Sequence, residues 1–272
     1  MIAAAARKVV GLLGSSSPAV RLVRPLYAQL LDRIATRSGL GWEVNGAPIR
    51  IHPHVRHLIP HVNEPALFRF LQGNIQPNQT VLDVGAFLGA YAVFEALWSG
   101  PMGRVICFEP TPGMWRWIDA HRRYNGVEDR VRLIRAAVGE RAGQMDFMVN
   151  HLEPYRNMAV GALSGGEFQR IQVPVVTLDD VCTEFNVVPD WIRMDVQGFE
   201  FDVLKGARQT ITRHRTRLKI IMETHPQLWP KLGFHEQDAL QTLEELGLRA
   251  EPLNGGLKLF EPDGHVVLSA KT

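Results

Sequence analysis

The chain alternates short apolar runs with longer stretches of helical period. Val81-Leu82, Arg104 to Phe108, Val131 to Ile134, Ile171 to Val176, Trp191 to Met194 and Leu218 to Met222 are brief and rich in branched residues. Runs of this kind, bounded by turn residues, read as buried strands. Between them, Ala90 to Leu97, Thr111 to about Asn125, Leu178 to Phe185, Glu200 to about Arg213 and His235 to Leu246 carry helical spacing. Repeated strand and helix predict an α/β fold, a doubly wound and mostly parallel sheet. Leu248 to Pro252, Leu257 to Phe260 and Val266 to Leu268 follow without further helices and read as closing antiparallel strands. Gln144 to Val149 alternates weakly and reads as an extra strand. His151 to Gln169, with Gly161, Gly165 and Gly166, is the least patterned stretch. It reads either as a lid over a site or as a plain surface loop.

Ahead of this alternation, Val20, Val23, Leu26, Tyr27, Leu30, Leu31 and Ile34 follow helical spacing. Pro18 suits the start of that helix and Pro25 a kink in it. The plain reading is a helical cap; the alternative is a helix for a membrane surface or for dimerisation, giving a homo-oligomer. Trp42 to Ile51 reads as a hairpin turning at Asn45-Gly46. Residues 1–62 are thus read as an N-terminal extension and 63–272 as the main domain. Asn63 is placed to cap a helix from Glu64 to Leu71, with Pro65 in its first turn. His52, His54, His57 and His61 fall close together, as metal ligands can. Pro53 and Pro60 interrupt any helix that would align them, and no cysteine or acid is interleaved, so a substrate-lining loop is the better reading.

Composition adds limits. A chain of 272 residues suits one α/β domain with an extension. A net charge of +2 gives no support for nucleic acid as a partner. Cys107 and Cys182 fall in a predicted strand and helix, which suggests reduced thiols and a cytoplasmic setting. No apolar run approaches a membrane span, and the apolar piece after Arg7-Lys8 is too short for a signal peptide.

The candidate chemistry centres on Thr80 to Tyr91, a strand, a glycine-spaced turn and a helix start. Gly85 and Gly89 allow a sharp turn beneath a ligand, and the helix behind offers unpaired N–H groups. The middle glycine of a dinucleotide fingerprint is missing, so a pyrophosphate clamp is not provided for. Glu109-Pro110 ends the next strand, where a carboxylate can accept both ribose hydroxyls. A nucleoside without a pyrophosphate points to S-adenosylmethionine. The plain alternative is an ordinary βαβ turn.

Ligands of open α/β sheets lie beyond the carboxyl ends of the strands. Asp83, Glu109, Asp195, Glu223 and His225 all fall at such ends. Gly85, Ala86, Phe87 and Gly89 would form the loop under the cofactor, Asp83 would fix that loop or reach the cofactor through water, and Ala136-Ala137 would flank the adenine. Glu64 would sit just upstream of the cofactor strand. Asp195 would face the sulfonium and the acceptor, or else cap the next helix. Glu223 and His225 are two apart in a strand and so share a face. Lys205 to Lys219 is basic and reads as a solvated helix end. Trp115, Trp117, Trp191 and Trp229 could stack on sugars but read better as core.

Four segments, "VLDVGAFLGAYA", "VICFEPTPGMW", "IRMDVQGFEFDVLKGA" and "IIMETH", together resemble the FkbM family of S-adenosylmethionine-dependent methyltransferases. The resemblance covers about Glu64 to Leu248. It implies a seven-stranded Rossmann-like sheet of class I methyltransferases and O-methylation of sugar, glycan or natural-product hydroxyls. Phe87 and Leu88 stand where the family usually has Asn and Ile, and Gln197 where it usually has Glu. The neutral Gln197 removes a charge beside Asp195, so metal-independent catalysis is expected, with His225 as proton acceptor, Glu223 orienting it and Asp195 positioning the hydroxyl. Two alternatives are a non-catalytic nucleoside-binding module, which Gln197 favours, and an NAD-dependent sugar-modifying enzyme.

Overall fold

The computed structural model describes residues 37–150, 158–159, 168–256 and 258–271. The expected N-terminal helix lies outside the described residues, as does most of the unpatterned stretch His151 to Gln169. β1 (Leu40–Val44) and β2 (Ala47–Ile51) form the expected hairpin. Asn45 and Gly46 both take positive φ, 50° and 83°, which twists the turn to match its strands. A 3-10 turn at Pro53–Leu58 leads to α1 (Pro65–Asn74). The cap differs from expectation: Glu64, at φ 39°, is the N-cap, and the Asn63 amide donates to Glu64 Oε2 at 3.2 Å.

The main sheet has seven strands in the order β12-β13-β11-β10-β3-β4-β5. They are β3 (Thr80–Val84), β4 (Arg104–Phe108), β5 (Val131–Ile134), β10 (Trp191–Met194), β11 (Lys219–Thr224), β12 (Leu248–Pro252) and β13 (Gly264–Ala270). The five from β11 to β5 run parallel, while β12 and β13 close the edge antiparallel. Helices α2 (Ala90–Trp98), α3 (Pro112–Tyr124), α4 (Leu178–Glu184), α5 (Glu200–Lys205), α6 (Arg208–His214) and α7 (Glu236–Glu245) connect them. Both faces are covered. Val81, Val105, Trp191 and Ile221 pack with α1, α2 and the hairpin's Ile49 and Ile51. Leu82, Ile106, Ile192 and Met222 pack on the other side with Phe201, Leu204, Leu243 and Trp229. Burial on two sides is why these strands read as continuous apolar runs.

Three expectations are corrected. The helix from Glu200 to Arg213 is two, because the chain turns at Gly206, where a Cβ would lie 2.1 Å from the Gly139 carbonyl oxygen. Asp179 then caps α6, accepting from the N–H groups of Gln209 at 2.9 Å and Thr210 at 2.7 Å. Lys258 to Phe260 is not a strand. Finally, β6 (Ala137–Val138), β7 (Gly143–Asn150), β8 (Met158–Ala159) and β9 (Phe168–Val176) form a separate four-stranded sheet, ordered β6-β9-β7-β8. Trp191 and Trp229 are core side chains, as expected.

Candidate active site

Strand order reverses between β3 and β10, so a crevice opens beyond their carboxyl ends. There the Asp195 N–H donates to the Val84 carbonyl at 2.9 Å. Gly85, at φ 85°, packs so tightly that a Cβ would lie 1.9 Å from the Asp195 carbonyl oxygen. Its N–H and that of Ala86 both donate to the Phe108 carbonyl at 3.0 Å. Gly89, at φ 74°, begins α2.

Two cavities meet over this loop. The first is bordered by Gly85, Phe87, Glu109, Pro110, Ala136 and Ala137, with Met145 and Phe147 of the second sheet as an apolar wall. The second lies toward Glu64, Ala86, Tyr91, Arg193, Glu223 and Asp263. Gly85, Phe87, Asp195 and Gln197 border both. Asp83 and Gly89 border neither. Glu109 braces the first cavity: its Oε2 accepts the Phe87 N–H and its Oε1 the Thr111 N–H, each at 2.8 Å. Burial pushes the Glu109 carboxyl up to about 7, although those donors pull it down.

Asp83 is fully buried and turned away from both cavities' linings. It lies opposite Arg193 in register, and Arg193 Nη1 donates to Asp83 Oδ1 at 2.9 Å with both side chains buried. Tyr91 lies under the guanidinium, whose centre is 4.4 Å from the ring centroid. Glu95 is fully buried, and both its oxygens lack hydrogen-bond partners. Burial and the nearby Asp83 hold its carboxyl well above the usual range. Burial works against the charge on Arg193, but Asp83, Asp195 and Glu64 outweigh it. This cluster went unforeseen. Its signal was available: Arg193 is a lone charge in an apolar strand and Glu95 one in an apolar helix, and buried charges need partners.

On the other side of Asp195, the structure brings Asp195, Glu223 and His225 together, as expected. His225 Nε2 is 3.9 Å from Asp195 Oδ1 and 3.8 Å from Glu223 Oε1. The orienting group is different. His225 Nδ1 lies 2.7 Å from Oε1 of Glu200, whose Oε2 accepts the Trp229 indole N–H at 3.0 Å. Burial opposes a charge on His225, yet the Glu200 hydrogen bond and charge leave it raised. Burial, Asp195 and Glu64 push the Glu223 carboxyl up to about 10, so it is protonated at neutral pH. Asp195 does not cap α5, whose N-cap is Phe199.

Among the described residues, two trios have possible ligand atoms within 4.8 Å of one another, Glu64–Glu223–His265 and Asp195–Glu223–His225. His52, His54, His57 and His61 are in neither; His52 instead donates its backbone N–H to His121 Nε2 at 2.9 Å.

The residues fit S-adenosylmethionine. Glu109 suits a ribose diol, and the apolar wall by Ala136 suits adenine. Arg193 Nε is a buried donor without a partner beside the second cavity, which suits a carboxylate. Glu64 and Asp195 suit an ammonium. A doubly wound sheet with this crevice and these donors can take S-adenosylmethionine across its strand ends. The model of the methyltransferase FkbM domain matches residues 83–250, more than half of the chain, and the chain belongs to that family. It is 32% identical over 154 residues to the 2-O-methyltransferase NoeI of Sinorhizobium fredii (strain NBRC 101917 / NGR234), covering 52% of this chain and 62% of that protein. Among solved structures, it is similar to a methyltransferase FkbM from Methylobacillus flagellatus KT, with a TM-score of 0.48, 17% identity and coverage of 72% and 45%. It is also similar to an O-methyltransferase from Bacillus cereus in complex with SAH, with a TM-score of 0.47, 15% identity and coverage of 80% and 86%.

Proposed function

We propose that this chain transfers a methyl group to a hydroxyl oxygen of a sugar, glycan or natural product. One observation carries the reading: a buried imidazole, backed by a carboxylate, lies against Asp195 and Gln197, which border both cavities, while His225 itself borders neither. The similarity to a 2-O-methyltransferase supports oxygen as the acceptor atom.

S-adenosylmethionine, when bound, supplies an electrophilic methyl on a sulfonium. Glu109 holds the ribose, Pro110, Ala136 and Ala137 flank the base, and Gly85, Ala86 and Phe87 floor the crevice. Glu64 and Arg193 take the charged amino-acid end. Asp195 positions the acceptor, which supplies the alignment on which such displacements depend and leaves the single hydrogen of the acceptor hydroxyl to His225. His225 Nε2 then takes the proton while Glu200 steadies the resulting imidazolium. Glu223, carrying its own proton, serves as a donor near the acceptor. In this reading residues 63–272 hold the chemistry. No helix among the described residues is long and apolar enough to cross a membrane. The buried thiols of Cys107 and Cys182 fit a reducing, cytoplasmic setting.

The test pairs calorimetry with S-adenosylhomocysteine and methyl transfer from labelled cofactor to a panel of glycans and polyketides. Binding with transfer to oxygen is expected. Binding without transfer to any acceptor would favour a nucleoside-binding module.

A further inference from the structure

The reading of His225 as a base raises a question of its protonation. Asp195, Glu223 and Asp263 all approach its Nε2, at 3.9, 3.8 and 3.9 Å. The Asp195 and Asp263 carboxylates favour a proton on this nitrogen, while Glu223 holds a proton of its own, and a protonated imidazole cannot accept another. Arg193 Nη2, at 3.8 Å from Asp195 Oδ2, offsets only one of them. A further group also lies against Nε2. The carboxamide nitrogen of Gln197 is 3.0 Å from it and 3.1 Å from Asp195 Oδ1.

We propose that Gln197 is a positioning residue that holds His225 neutral, with the ring proton on Nδ1 and the Nε2 lone pair facing the acceptor. The hydrogen-bond inventory leads there by steps. Glu200 Oε1 also accepts the Gly198 N–H, at 2.8 Å, so it is an acceptor toward His225 and Nδ1 carries the hydrogen. Asp195 Oδ1 accepts one hydrogen of the Gln197 amide. The other hydrogen points at Nε2, which must then present its lone pair. A donor on the lone pair stabilises the neutral ring and opposes the pull of Asp195 and Asp263. The backbone supports the placement. Gln197 sits at φ 52°, a left-handed conformation uncommon for a residue with a side chain, and Gly198 follows at φ 102°. A hydroxyl that replaces the amide nitrogen can give its one hydrogen to the Nε2 lone pair, so the resting site is set for its substrate.

The proposal rests on His225 as the base, but its test does not. In the nitrogen-15-labelled full chain, without substrate, two-bond proton–nitrogen correlations report the tautomer and titration of His225, assigned by its loss in His225→Asn. The neutral form should carry its proton on Nδ1. Gln197→Ala should raise the His225 midpoint by about half a unit or more, and Gln197→Glu by about a unit or more. The acidic limb of the rate profile should move with it. A proton on Nε2 in the unsubstituted chain overturns the proposal, and needs no variant to fold. So does an unchanged midpoint in both variants. A midpoint that moves while the rate profile stays still upholds the role of Gln197 and rejects His225 as the base.

Discussion

Arg193 and Asp83 face each other across adjacent parallel strands, at 2.9 Å, with Asp83 fully buried and Arg193 open only to the second cavity. The pair ties β10 to β3 directly beneath the crevice. Removing one partner strands the other in a low dielectric. Asp83→Ala should therefore lower stability by about 3–5 kcal/mol in denaturant titration. An apolar double replacement, Asp83→Leu with Arg193→Met, should recover part of that loss. A single variant as stable as the parent would show that the pair is not a structural tie.

Glu109 holds Phe87 and Thr111 through their N–H groups and faces the first cavity. Glu109→Ala should weaken S-adenosylhomocysteine binding by about 1–3 kcal/mol, the worth of charge-assisted hydrogen bonds. Calorimetry reads this directly. Equal affinity in the variant would reject the ribose assignment.

Gly85 is required by the protein before any ligand arrives. A methyl group there would lie 1.9 Å from the Asp195 carbonyl oxygen, and φ 85° is strained for any other residue. Gly85→Ala should lower the melting temperature, and cofactor affinity should fall with it. Loss of affinity at an unchanged melting temperature would show instead that the glycine serves only the ligand's space.

His225→Ala should lower turnover by about 10²–10⁴-fold, the usual worth of a general base, with cofactor affinity little changed. Glu200→Gln should also slow turnover, since it weakens the bond at Nδ1. Chelator should leave the rate unaltered. Loss with EDTA and recovery with magnesium would turn the Asp195–Glu223–His225 trio into a metal site.

Glu223 holds its proton up to about pH 10 in the folded chain, whereas an unfolded glutamate releases it near its ordinary value of 4.5. A raised folded pKa favours the native state below the unfolded value, and that contribution declines as pH rises toward the folded one. Between pH 5 and pH 9 the parent should lose stability, and Glu223→Gln should lose less. Parallel melting curves for the two proteins across that range would refute the assignment.

The sequence by itself determined the sheet, because strands buried on two faces must be apolar throughout and helices between them must keep one apolar stripe. It also determined which carboxylates reach the crevice, since strand ends are visible as the points where apolar runs stop. Glu109, Asp195 and Glu223 were legible in that way, and His225 as the group behind them. Pairing across strands was not. Asp83 stands at a strand end like the others, yet the register of β10 beside β3 places Arg193 against it, 110 positions away. His225 gains Glu200 rather than Glu223 because α5 lies over β11 and turns its first residue inward. His225 lies one residue past the end of β11, so strand alternation no longer sets its direction, and hydrogen bonds are decided within about 3 Å. Such contacts depend on register and helix placement, which tertiary packing sets and no local pattern records.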